Sequence, residues 1–397
     1  MSPSDCKYIA YVGCYTTPRQ ADPFLSIGGI PHDESIVGTG ILALEISDGK
    51  LTLLSQSPIL SMINPSYLGI VGTDDNPNQI LFTVSELETD ATVLAYKIAP
   101  EDPTKLSQIG KALSSGGAYP CHVAQVKPID EMKDSLYTVV TNYGLDEDSA
   151  ANSMYRIDSS SNNVSLVQTI SYTGVKGSCA DKDRQLGPHM HSCAGIPGEI
   201  FIADLGSDVI IRFSISNTGM KEIGRLAVPS GSGPRSLAFS PQDQQLAVVS
   251  LEMAAQILLI QRNATGDLEA LGDPVSIIPS DWPNNDPSMI PFNKGKWGSD
   301  VIWSKDGKYV YAAARLINSI CIFELKRNEI PILSFVNRVD TRGITPRNLA
   351  ITSGGEFLMI CHQHSHDVSC FKINETTGML DYVDKIDVPL ASCIKVV

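Results

Sequence analysis

A chain of 397 residues that is 43% hydrophobic and 19% charged holds ample material for a core and is neither disordered, collagen-like nor a coiled coil. Lys+Arg 30 against Asp+Glu 44 leaves a net charge of −14, a field that repels phosphates and argues against nucleic acid and anionic membranes as partners. No apolar run approaches the ~18 residues of a membrane helix, no basic-then-apolar leader is visible, and the nine cysteines include no Cys-x-x-Cys, so the expectation is a cytoplasmic protein with reduced thiols.

The chain reads throughout as short apolar runs separated by turn chemistry, with no amphipathic helical stretch between them. After a first stretch over residues 8 to 57, one short pattern recurs: Pro or Gly, a polar residue, one more residue, then alternating apolar positions. It reads Asn64-Pro65-Ser66-Tyr67-Leu68, then Tyr119-Pro120-Cys121-His122-Val123, then His189-Met190-His191-Ser192-Cys193. It returns as Gly233-Pro234-Arg235-Ser236-Leu237, Trp297-Gly298-Ser299-Asp300-Val301, Thr345-Pro346-Arg347-Asn348-Leu349 and Leu390-Ala391-Ser392-Cys393-Ile394. Successive copies are 44 to 70 residues apart.

Each copy leads into a second apolar run across a hairpin loop such as Ser304-Lys305-Asp306-Gly307. A third run and a fourth follow, as in Val209 to Phe213 and Leu51 to Leu54. Four short strands per unit of ~45 residues is the signature of a propeller blade. The fold class expected is therefore all-β, a seven-bladed β-propeller with four antiparallel strands per blade, formed by residues 1–397 as one domain. Residues 8–57 supply three strands of the first blade, and residues 392–397 its innermost strand. That closure removes the sheet edge a linear array would leave. Longer insertions at 18 to 37, 144 to 152, 174 to 187 and 279 to 296, the last with Trp282-Pro283-Asn284, have the length of loops that cover a binding mouth.

In a propeller the inner strands line a central channel, and one fixed position per repeat forms a ring around its mouth. The residue after the Pro or Gly position gives Ser66, Cys121, His191, Arg235, Ser299, Arg347 and Ser392, none of them a large aliphatic. The end of the second strand gives Glu86, Asn142, Asp204, Glu252, Arg315 and Gln363. Buried acids and guanidinium groups must be paired, so part of this set is structural; Asp204, in Asp204-Leu205-Gly206-Ser207-Asp208, reads as a tight turn. His189 and His191, and His362, His364 and His366, alternate as metal ligands on a strand would. The second set falls at a strand end and turn and neither has a complete ligand pattern, so the expectation is no metal. There is no nucleophile elbow, phosphate loop or dinucleotide fingerprint, and no cofactor is expected.

Tyr11-Val12-Gly13-Cys14-Tyr15-Thr16, Asn64-Pro65-Ser66-Tyr67, Pro120-Cys121-His122-Val123, Pro188-His189-Met190-His191-Ser192, Ala203 to Asp208 and Gly231-Ser232-Gly233-Pro234-Arg235 resemble the seven-bladed propeller lactonase family, which includes propeller-type 6-phosphogluconolactonases and fungal 3-carboxy-cis,cis-muconate cyclases. The resemblance runs essentially end to end. It implies a propeller that needs no metal or organic cofactor, and a site of one His, two Arg and one Glu that fall by motif on His191, Arg235, Arg315 and Glu252. The second-strand motifs depart from the family's Asn-Glu-Leu and Asn-Arg, being Leu251-Glu252-Met253 and Ala314-Arg315 here.

These readings converge on a small anionic lactone or carboxylate bound in the channel mouth by arginine forks, with His122, His189, Arg347, Asn142 and Gln363 as further substrate contacts. Glu252 or His191 would deprotonate water, and an arginine would stabilise the oxyanion. The expected activity is hydrolysis of a sugar lactone, 6-phosphogluconolactonase-like. A muconate-type lactone-forming or isomerising enzyme and a non-catalytic propeller scaffold are the alternatives.

Overall fold

A computed structural model describes residues 7–17, 36–55, 57–72, 79–130, 132, 135–145, 149–158, 161–182, 184–280 and 297–397. These residues form seven antiparallel sheets, each of four strands in chain order except at the first blade and at a divided edge in the fifth. The innermost strands are Tyr67–Val71, Pro120–Val126, Met190–Ile196, Pro234–Ser240, Gly298–Trp303, Pro346–Ile351 and Ala391–Val396. In the fifth blade the outer edge is split into Leu268–Ala270 and Val275–Ser276, both paired with Gln256–Arg262. The only helical element among the described residues is the 3-10 turn Arg315–Ile317, and none of their helices is long and apolar enough to cross a membrane.

The first blade is composite, as the sequence predicts. Ala391–Val396 pairs with Lys7–Cys14, which pairs with Ile41–Ser47. The core has no centre. It consists of seven separate apolar clusters, each wedged between two neighbouring blades. One cluster joins blades 1 and 2 through Tyr11, Ile41 and Leu68. Another joins blades 7 and 1 through Met359, Cys361, Ile394 and Val12. An open row of seven sheets would have six such interfaces; the seventh is what closure adds. In the second strand of blades such as the second and sixth, alternating residues face one neighbour or the other, so both faces are buried.

The expected hairpins position the site through one repeated kink. The residue two places before each predicted channel position has left-handed backbone in six blades: Asn64, Tyr119, Gly233, Trp297, Thr345 and Leu390, with φ between 44° and 62°. For a non-glycine residue this costs on the order of 1–3 kcal/mol and persists only where the surroundings dictate it. Immediately afterwards the strand pairing slips. The register shifts between Pro120 and His122, Met190 and Ser192, Pro346 and Asn348, and at the matching points of blades 1, 5 and 6. A bulge leaves its extra residue outside the ladder and re-aims its side chain. The insertion predicted at 18 to 37 and that at 279 to 296 fall almost wholly outside the described residues, Trp282-Pro283-Asn284 included.

Deleting residues 391–397 should abolish cooperative unfolding. It removes Ala391, Cys393 and Ile394, all fully buried, and exposes the edge of Lys7–Cys14. Thermal melts and light scattering check this; a monodisperse truncation melting near the full chain would count against closure by this strand.

Candidate active site

Residues at this position meet at one cavity. Ser66, Cys121, His191, Arg235, Arg347 and Ser392, one from each of six blades, line a single cavity. Ser299, the seventh expected member, turns away: its buried hydroxyl donates to the Pro346 carbonyl at 2.6 Å.

The second ring is set by a hydrogen bond that recurs in every blade. The backbone N–H just past the second strand donates to the carbonyl of the residue two before the bulge. The pairs are Glu86 to Asn64, Tyr143 to Tyr119, Leu205 to His189, Glu252 to Gly233, Arg315 to Trp297, Gln363 to Thr345 and Tyr15 to Leu390, at 2.8 to 3.2 Å. Glu86, Glu252, Arg315 and Gln363 are thus equivalent, as expected. Asn142 and Asp204 are not: each lies one residue early, and a slip of one turns a strand side chain to the other face. Asn142 is fully buried and its amide donates to the carbonyls of Ser115 (3.0 Å) and Ala151 (3.2 Å), so it does not line the cavity as a substrate contact. Tyr143 takes its place. Asp204 holds the backbone N–H groups of His189 (2.8 Å) and Ser207 (3.1 Å), the tight turn read from its sequence.

Glu252 is the electrostatic centre. Its side chain is 2% exposed and bonds three guanidinium groups. Arg235 Nε lies 2.8 Å from Oε2 and Arg315 Nη2 2.9 Å from the same oxygen. Arg184 Nη2 donates to Oε1 at 3.0 Å. Burial alone would raise the Glu252 carboxyl, but Arg315, Arg184 and Arg235 outweigh it and hold the group well below the usual carboxylate range. Arg184 belongs to the insertion at 174 to 187 and to no repeat, so a reading by period has no place for it. Its guanidinium also donates to the Tyr143 hydroxyl at 3.1 Å and lies 5.2 Å from the Trp297 ring centroid.

His191 stands beside this cluster with the Tyr143 ring edge-on at 5.7 Å. Desolvation, then Arg235, lowers its pKa well below 6.5, so near neutrality it is an uncharged imidazole able to accept a proton. His189 stacks on Tyr143 at 4.2 Å, with Nδ1 3.1 Å from the Tyr143 carbonyl. Arg347 donates to Gln363 Oε1 (3.0 Å) and the Tyr15 hydroxyl (2.7 Å), and Tyr15 in turn donates to Glu86 (2.9 Å). Tyr15 escapes the motif search because its strand is the one whose inner partner lies at the other end of the chain. Burial pushes the Cys121 thiol up to about 12, which removes it as a nucleophile. His122 lines the cavity, but both its ring nitrogens are engaged by the protein.

The remaining histidines do three separate tasks. His362 Nδ1 pairs with Asp367 at 2.7 Å, His364 Nδ1 lies 2.6 Å from Thr345 Oγ1, and His366 Nδ1 accepts the Leu390 N–H at 3.2 Å. Among the described residues no three His, Cys, Asp or Glu side chains group as metal ligands do.

Replacing Glu252 by Gln should lower the melting temperature by several degrees, a loss of about 3–5 kcal/mol, because three buried cations lose their shared anion. The sign with pH follows from the lowered pKa: the stabilisation is present above the ordinary carboxyl value of 4.5 and is lost as pH falls through the depressed folded value. Melting curves of Glu252→Gln and wild type from pH 7 downward check both. An unchanged melt with lost turnover would assign the carboxylate to proton transfer instead.

A family model described as "Lactonase, 7-bladed beta-propeller" matches residues 9–396. A curated relative, the 6-phosphogluconolactonase of Bacillus subtilis (strain 168), is 28% identical over 393 residues, 98% of each chain. Another, the 6-phosphogluconolactonase of Formosa agariphila, is 28% identical over 363 residues, 86% of this chain and 91% of the relative. Among solved structures the fold is shared with the periplasmic gluconolactonase of Pseudomonas aeruginosa, at 21% identity and a TM-score of 0.79 over 99% of both chains. With seven sheets closed by the last strand and a family match spanning nearly every one of them, the chain belongs to the seven-bladed β-propeller lactonase family.

Proposed function

We propose that the cavity hydrolyses a small anionic sugar lactone of the 6-phosphogluconolactone type. Membership of the family makes the chain a hydrolase acting on lactones. One observation supports an anionic substrate above others: two guanidinium groups, Arg235 and Arg347, line the cavity itself, although the chain as a whole is at −14. The names of the two curated relatives point the same way.

The residues divide the reaction between them. Water needs a base that is unprotonated near neutral pH, and His191 meets that need, whereas both Glu252 oxygens are held by guanidinium groups. Water attacks the lactone carbonyl, its proton passes to His191, and the developing oxyanion is met by Arg235. Arg235 faces Glu252 through Nε and also lines the cavity. The ring oxygen then leaves and takes the proton back from His191, so lactone and water give the open acid. Arg347, fixed by Gln363 and Tyr15, supplies charge for the substrate's anionic group.

Four measurements test this reading. Acid release from 6-phosphogluconolactone, corrected for spontaneous opening, should exceed that from unphosphorylated gluconolactone in kcat/KM. Turnover of 3-carboxymuconate in place of both would identify a lactone-forming enzyme, and no turnover of any would favour a binding scaffold. His191→Gln should lose roughly 10²- to 10⁴-fold in kcat with a near-normal melt. In wild type, the acid limb of kcat/KM should lie well below pH 6.5, since only below the lowered folded value does His191 take up a proton. Finally, activity should survive chelation; its loss in EDTA with recovery on one divalent ion would return His189 and His191 to the role of ligands.

A further inference from the structure

The cavity wall carries one group that the steps above leave unused. Tyr67 opens the inner strand of blade 2 and lines the cavity with His191 and Arg235. Two side chains from other blades converge on its hydroxyl. His122 of blade 3 brings Nε2 to 2.7 Å, with the two rings 4.2 Å apart. Lys395, on the closing strand of blade 1, donates from Nζ at 3.0 Å and sits 4.5 Å from the Tyr67 ring centroid.

The direction of these bonds follows from the other nitrogen of His122. Nδ1 accepts the backbone N–H of Cys193 at 3.4 Å, and the Cys193 thiol lies 3.5 Å away. A ring nitrogen that accepts carries no proton. Burial, then Lys395 and Arg235, lowers the His122 pKa well below 6.5, so the ring is neutral and has one N–H. That proton is on Nε2 and is donated to Tyr67. The Tyr67 oxygen therefore accepts from both His122 and Lys395. Its own O–H has no acceptor among the described residues and is left to point into the cavity. Burial raises the Tyr67 pKa by more than Lys395 lowers it, so the group stays a phenol.

We propose that Tyr67 is a catalytic hydrogen-bond donor of this cavity, its O–H binding the lactone carbonyl oxygen beside Arg235 as that oxygen becomes an oxyanion, with His122 and Lys395 as the positioning residues that aim it. This rests on the lactonase reading above. No proton leaves Tyr67; the bond strengthens as charge develops, which is how a preorganised donor accelerates acyl transfer.

Two kinds of measurement decide it. Long-range proton–nitrogen NMR of the wild-type protein near pH 7 reads the His122 tautomer without substrate. The expected result is a protonated Nε2 and a bare Nδ1; a proton on Nδ1 overturns the proposal, because Tyr67 would then spend its O–H on His122. In lactone turnover, Tyr67→Phe should lose about 10²-fold in kcat, the cost of one oxyanion donor, with KM held within about threefold. Lys395→Met should lose about tenfold in kcat, also without a KM change, as the freed hydroxyl turns aside. Wild-type kcat in Tyr67→Phe, or a loss confined to KM, overturns the assignment. If Tyr67→Phe fails to fold, Lys395→Met decides by the same split between kcat and KM. A wild-type protein inactive on every lactone fails the parent reading instead, and the tautomer alone then judges the arrangement around Tyr67.

Discussion

Each blade is tied across its top by the same backbone hydrogen bond, from the N–H past the second strand to the carbonyl two residues before the bulge. The constraint it satisfies is steric. The inner strand must enter the sheet from a loop and at once release one residue toward the axis, which a regular ladder forbids. Left-handed backbone at the entry and a bulge after it solve the problem, and the recurring bond holds the strained residue in place. Both rings of side chains around the cavity follow from that single device. The chemistry varies from blade to blade only because the residue presented varies: His191 from one, Arg235 from the next, Arg347 from another.

This explains which parts of the site could be read from the chain alone. Five of the seven bulge positions follow a proline or glycine marker; six of the seven predicted members line the cavity, and Ser299, bonded to the Pro346 carbonyl, does not. The second ring has no marker. Its register had to be inferred from where apolar runs end, and in blades 3 and 4 the run ends on a polar residue one place early. Asn142 was therefore chosen where Tyr143 stands. Arg184 was invisible for a different reason: it lies in an insertion, where periodicity carries no information. His122 was legible as a cavity residue but not in its contacts, because its partners Tyr67 and Cys193 come from two separate stretches of chain.

Burying charge is what the centre of the molecule does at greatest cost. Four arginines, Lys395 and the carboxylates of Glu86, Glu252 and the cavity-lining Asp300 occupy a space that the folding of an all-apolar channel would fill more cheaply. Glu252 makes the arrangement tolerable by serving Arg184, Arg235 and Arg315 at once. One carboxylate thus holds together side chains that come from two blades and an insertion.

The composite first blade also has a consequence for how the protein is made. Lys7–Cys14 leaves the ribosome early, while its inner partner Ala391–Val396 is translated last among the strands. At about 5–20 residues per second, the interval between them is roughly 20–75 s. Throughout that interval Lys7–Cys14 presents an unpaired edge, the kind of surface that recruits strands from other nascent chains. The longer that edge stays open, the more the chain depends on its closing strand to end the exposure.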